Sequence, residues 1–270
     1  MKNYLLLLAL IAALMLTACK HTKSHHDSND EEEEEQAVGL IIDEEHFPDD
    51  AFRAFLLEQD FGRDSVLTAE EEENVYMLRM YHKDIRSLQG IEHFQHLGAL
   101  LVTGNPLEQL VLPKMEQLAI LECQCCELTK LDVTQCPRLN KLRCFLNKLT
   151  TLDLSNKPRL TELEAHDNQF TDLNLSGTDS LNVMDVSNNQ LTRLDLSSQK
   201  NLHCIAIGGN PMDEEQMSAF INQLPKGVVN ETGFDEHIEI IDPNISVGDR
   251  TLTPAQEQTL EQKGWYHIKN

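Results

Sequence analysis

The sequence predicts a solenoid of stacked coils with a parallel sheet along one face, and three observations lead there. Leucines open matching segments at Leu97, Leu118, Leu139, Leu160, Leu181 and Leu202, each 21 residues after the last. Inside a segment the apolar offsets recur. Leu139, Leu142, Cys144, Leu149, Leu152 and Leu154 are answered by Leu160, Leu163, Ala165, Phe170, Leu173 and Leu175, then by Leu181, Met184, Val186, Leu191, Leu194 and Leu196. The ninth place is asparagine at Asn105, Asn147, Asn168, Asn189 and Asn210, with Cys126 standing in once.

A coil this small cannot bury its own apolar edge, so neighbours must stack and share a core. The stretch around Leu142 and Cys144 alternates inward and outward, the period of a strand, and stacked strands would form the parallel sheet. An asparagine amide both donates and accepts, so it can satisfy backbone groups stranded inside the bend. Cys126 should do that job less well. The second half of each coil, typified by "LTTLDLSNKPR" from Leu149, reads as extended, with Asp153 and Asp195 facing water.

The LxxLxCxxNxLTxLDLSxxPxL form from Leu139 to Leu160 resembles the leucine-rich-repeat proteins of bacterial surfaces. These include the internalin-like group and Bacteroidetes lipoproteins. The resemblance covers about half of the chain as repeats, and nearly all of the mature part once the flanks are added. It implies a leucine-rich-repeat solenoid between a helical N-terminal cap and a mixed α/β C-terminal cap. Such folds are scaffolds onto which many binding sites are grafted.

Residues 1–18 read as a lipoprotein signal peptide, with Lys2 at the positive end and Leu5 to Leu16 apolar. That run is shorter than the roughly 20 residues a spanning helix needs. "LTAC" resembles a lipoprotein box, which implies lipid attachment at Cys19 and membrane anchoring through it. Residues 19–37 form an acidic tether ending in Glu31 to Glu35, too polar to order itself. His21, His25, His26 and Asp27 could ligate a metal, but a solvated tether explains them. The acidic run also resembles a surface-export signal, implying an outer-membrane lipoprotein that faces the exterior.

Residues 38–74 read as the helical cap. Asp49 caps a helix with Phe52, Phe55 and Leu56 on its apolar face, and Thr68 with Glu71 fits a capping box. The loop between has the spacing of a calcium site, with Asp60, Asp64 and Glu71 as weak ligand candidates. Ser65 replaces the glycine of its sharp turn and Gly62 offers no side-chain oxygen, so the loop reads as a decayed site kept for its turn. The solenoid occupies 75–212, its first coil one residue longer and carrying Val75, Leu78, Met80, Ile85, Leu88, Ile91 and Phe94 inward. His93 and His96 share a helical spacing but lack a third ligand. Residues 213–270 form the α/β unit covering the last coil. It has helices opening at Asp213 and Thr253, strands at His237 to Ile241 and Trp265 to Ile268, and Trp265 in its core.

With 22 basic and 45 acidic residues the formal charge is −23. That excludes nucleic acid and adhesion to anionic lipid by charge, and it suits solubility, cations or a basic protein patch. Beyond Cys19, the cysteines are Cys123, Cys125, Cys126, Cys136, Cys144 and Cys204, read as buried free thiols since a stacked core needs no staple. No catalytic constellation or cofactor motif emerges, so no enzyme is expected.

The outward places of the sheet remain as the candidate ligand-binding surface: Arg79, Tyr81, Leu101, Ile120, Glu122, Lys141, Arg143, Phe145, Glu162, Glu164 and His166. Cross-strand pairing explains the charges, whereas exposed Leu101, Ile120 and Phe145 would mark a contact. The favoured function is a surface-anchored module, monomeric, that binds a protein ligand. The alternative is an accessory glycan-capturing lipoprotein of a nutrient-uptake system, which the low aromatic count of this face disfavours.

Overall fold

The structure, a computed structural model, describes residues 39–226 and 244–268. The signal segment, Cys19, the tether with its histidines and the His237 to Ile241 strand lie outside the described residues. At the N-terminal side, β1 (Gly39–Ile41) is followed by α1 (Asp50–Leu57), β2 (Val66–Thr68) and α2 (Ala69–Asn74). β1 and β2 pair antiparallel. Asp49 ties this flank to the coils with one carboxylate. Its Oδ1 accepts the Phe52 N–H at 2.8 Å, and its Oδ2 accepts the N–H groups of Arg86 and Ser87 at 2.8 and 2.9 Å. Phe52 is buried, and Phe47 packs edge-on against it and tilted against Phe94 of the first coil, with ring centres 5.7 and 6.3 Å apart. Each such side chain contributes about 1.5–3 kcal/mol of burial. Thr68 and Glu71 form the capping box of α2. Ser65 takes φ +65°, so the sharp turn persists without its glycine.

The coils then follow, one sheet strand each. β3 (Met77–Arg79) and β4 (Ala99–Leu101) precede β5 (Gln109–Val111), a strand on the opposite side of its coil. β6 (Ile120–Glu122) returns to the main sheet and β7 (Lys130–Asp132) pairs with β5. β8 (Lys141–Arg143), β9 (Glu162–Glu164), β10 (Val183–Asp185) and β11 (Cys204–Ala206) continue the sheet. Pairing is parallel and in the 21-residue register, Leu121 with Leu142, Leu142 with Leu163 and Met184 with Ile205. The central residue of each of these strands is buried, so the inward leucines form one continuous column.

The asparagines knit each coil to the one before. Asn168 donates from Nδ2 to the carbonyls of Cys144 and Ala165 at 3.0 and 3.3 Å, and its Oδ1 accepts the Leu149 N–H at 3.0 Å. Asn189 repeats the pattern one rung on, with Ala165, Val186 and Phe170. Cys126 manages half of it. Its thiol donates toward the Val102 and Gln124 carbonyls, while the Leu107 N–H turns to its own Asn105 carbonyl at 2.8 Å.

Two further ladders were hidden in the pattern. The eighth place is left-handed in every coil from His82 through Gly104, Cys125, Leu146, Asp167 and Asn188 to Gly209. On the far side, Asp132, Asp153, Asn174 and Asp195 each accept the N–H two residues on at 2.8–3.0 Å, closing the turn. These hydrogen bonds hold the three aspartates below the usual carboxylate range.

The terminal region does more than cover the last coil. α3 (Glu214–Gln223) is capped by Asp213 and Gln216, and then β12 (Asn244–Ser246) joins β11 in parallel. α4 (Pro254–Lys263) leads to β13 (Tyr266–Ile268), which pairs with β12. The sheet therefore runs β3-β4-β6-β8-β9-β10-β11-β12-β13, nine strands among the described residues. His267 holds the inward place of the last rung and meets Glu257 at 2.9 Å. Trp265 is buried, its Nε1–H donating to the Pro225 carbonyl at 2.8 Å.

Candidate binding face

Alternation places two residues of every strand on the outer face of the sheet, and in-register pairing turns them into columns. One column reads Met77, Ala99, Ile120, Lys141, Glu162, Val183 and Cys204. Its neighbour reads Arg79, Leu101, Glu122, Arg143, Glu164, Asp185 and Ala206. Beyond the strand ends, Tyr81, Phe145 and His166 stand on coils one, four and five.

The expectation that Leu101 is exposed is wrong. It is only 6% exposed. The Tyr81 hydroxyl donates to Glu122 Oε2 at 3.1 Å, and that bond crosses the intervening strand β4. Leu101 lies on β4 between Arg79 and Glu122, so the tyrosine spans it. Ile120 and Phe145 are half-buried.

The centre of the face is a charge network. Arg143 meets Glu122, Glu162 and Glu164 at 3.5, 3.1 and 3.0 Å, and Lys141 meets Glu162 at 2.8 Å. Burial raises the Glu164 carboxyl, and the neighbouring Glu162 raises it further. Burial acts upward on Glu162 too, but hydrogen bonds led by Lys141 more than offset it and hold that group low. Burial works against the Arg143 cation, yet the three glutamates keep its pKa above the usual arginine value. Half-buried pairs of this kind fix geometry more than they add stability. Thr103 Oγ1, Gln124 Oε1 and Arg143 Nε, also on this face, are buried without a hydrogen-bond partner.

Beside the network, Phe145 stacks on His166 with ring centres 4.3 Å apart and planes within 14°. His166 Nδ1 in turn meets Asp167 at 2.6 Å. Next along the chain from Phe145, Leu146 is 51% exposed and left-handed. Arg79 stands 5.9 Å from the centre of the Tyr81 ring. All of the sequence-derived candidates except Leu101 thus reach this surface, and the structure joins six of them, Tyr81, Glu122, Arg143, Glu162, Glu164 and Lys141, in one connected set.

The other candidates are placed elsewhere. Asp60 pairs with Arg63 at 2.7 Å, Asp64 accepts the Val66 N–H at 3.0 Å, and Glu71 serves the capping box. His96 pairs with Glu72 at 2.8 Å, while His93 packs edge-on against Phe47. Among the described residues the six cysteines form no disulfide, but the expectation of burial fails for Cys125, which is exposed at a left-handed eighth place, and for half-buried Cys204. Burial drives Cys144 up to about 12 and Cys136 to about 11, so neither is a thiolate near neutrality.

No protein-family model and no curated protein matches this chain. Among solved structures, internalin C2 of Listeria monocytogenes is similar over 65% of this chain and 90% of its own, at 18% identity and a TM-score of 0.45. The functional domain of InlJ from the same organism, which includes a cysteine ladder, is similar over 77% of this chain and 56% of its own. There the identity is 22% and the TM-score 0.36. The leucine-rich-repeat solenoid stands on the rungs themselves, through their register and their inward column.

Proposed function

We propose that this chain is a surface-anchored binding module that recognises a protein ligand through the sheet face of its solenoid. One observation carries the reading. Of the eight exposed large apolar side chains among the described residues, five (Met77, Tyr81, Leu146, Tyr266 and Ile268) lie on that face or on the turn that borders it. Apolar side chains at both ends of a face whose centre is charged are a usual mark of a protein contact. Nine strands at about 4.8 Å give a surface about 40 Å long, enough for a protein or an extended segment. The glycan alternative loses its best aromatic platform, because one face of the Phe145 ring is committed to His166.

The test is adhesion of particles coated with the chain to candidate surfaces, comparing Leu146→Asp and Met77→Asp with Val111→Asp on the far side. The two face variants should lose adhesion while Val111→Asp keeps it. Equal loss in all three would remove the reading. Anchoring is proposed through Cys19, and Cys19→Ser should shift the chain from the detergent phase to the aqueous phase. Protease shaving of intact cells then separates an exterior position from an interior one.

A further inference from the structure

Past the aromatic stack, the side chains at the strand ends shrink. His166 gives way one rung on to Ser187 and then to Gly208, as the backbone bonds from Asp167 to Ser187 and from Asn188 to Gly208 show. A cavity of about 550 Å³ opens there, walled by Asp185, Ser187, Asn188, Gly208, Asp249 and Arg250 among others. Gly208 in its wall can carry no side chain, since a Cβ there would stand 2.4 Å from the Gly248 nitrogen.

The carboxylates here differ from those at the centre of the face. Glu122, Glu162 and Glu164 are each met by Arg143 or Lys141. Asp185 and Asp249 meet no basic group among the described residues. Asp185 is held in place by the Ser187 N–H and hydroxyl, at 2.9 and 2.6 Å to its Oδ1. The one cation of the wall, Arg250, donates to the Met212 carbonyl. The wall thus carries two carboxylates, one of them held by its own turn, against one guanidinium, in a chain of net charge −23. Both the local balance and the long-range field favour a cation.

We infer that this pit is the socket for a lysine or arginine side chain of the protein ligand, an inference that rests on the protein-binding reading of the same face. The partner is then a protein that offers a basic residue at the C-terminal end of its footprint and apolar ones toward Met77 and Tyr81. A guanidinium or ammonium entering the pit gains Asp185 and Asp249.

The test uses the full chain, isotope-labelled, with N-acetyl-arginine amide and N-acetyl-lysine amide as probes and N-acetyl-citrulline amide as the neutral isostere. The cationic probes should shift the amide signals of Ser187, Asn188, Gly208 and Gly209 saturably, less so at high salt, and citrulline should not. Asp185→Asn keeps the turn, as Asn174 does for Ser176, and should weaken binding about tenfold, as should Asp249→Asn. Absent shifts, equal shifts with citrulline, or unchanged binding in both variants would overturn the socket. The probes are single residues, so their failure leaves the adhesion result standing, whereas lost face selectivity in the adhesion test would strike the broader reading.

Discussion

Cys126 shows how one residue in a repeat can be read against its equivalents. Where the equivalent asparagines accept a neighbouring coil's N–H, it leaves the Leu107 N–H to a local carbonyl. Cys126→Asn should restore the missing acceptor and add about 1 kcal/mol of stability, seen as a rise of about 2–4 °C in Tm. Lys157 is the opposite case, a charge put where its neighbours keep neutral groups. It occupies the inner column of Met115, Cys136, Thr178 and Gln199 at 0% exposure, and among the described residues only the Thr134 and Ser155 carbonyls receive its ammonium, at 3.4 and 3.3 Å. Burial lowers its pKa below the ordinary 10.5, and nearby Asp153 and Asp132 only soften that. An unfolded chain therefore takes up this proton first as pH falls. Its penalty is absent above about pH 10.4, grows as pH drops and is complete below the folded value. Lys157→Met should raise Tm by about 2–4 °C at neutral pH, with the gap to the parent closing toward pH 10. A gap independent of pH would contradict the burial argument.

Elements are set by what recurs, and that decided how much was legible beforehand. The inward leucines, the asparagine ladder and the outward charges of β8 and β9 could all be read from spacing, because each repeats at 21 residues. β12 could not be recognised as the next rung, since a 40-residue step from Ile205 to Ile245, with α3 inside it, hides the register. Leu101 is buried against expectation because alternation gives only the side a residue faces, not that Tyr81 from another coil crosses it. The left-handed eighth place varies too much to show as a repeat, being His82, Gly104, Cys125, Leu146, Asp167, Asn188 and Gly209 in turn. Leu146 is the bulky exception there, in a conformation that costs an L-residue with a branched side chain about 1 kcal/mol or more. Leu146→Asn should gain about that much in denaturant unfolding while weakening ligand adhesion, because the exposed leucine stands beside the aromatic stack. Gly208→Ala should separate β11 from β12 at a cost of about 1–3 kcal/mol. The sign of that separation is faster hydrogen exchange at Ile207, whose N–H reaches the Ser246 carbonyl at 2.9 Å.

At the scale of the whole molecule, a stack of thin rungs divides its surface by geometry. Side chains facing the column hold the fold, the far side closes turns with aspartates, and the sheet face is left to vary. Its polarity runs along the stack, from Met77 on β3 and Tyr81 just beyond it, through the paired charges of β8 and β9, to the acidic pit by β10 and β12. A ligand that reads this face would contact several coils at once, and none of the far-side ladder. Site-specific photo-crosslinking on intact cells reads that directly, with the reactive residue placed in turn at Ile120, Phe145, Val111 and Asp153. The account predicts crosslinks to one protein from positions 120 and 145 and none from 111 and 153. Crosslinks from the far-side positions, or equal yields from all four, would contradict it.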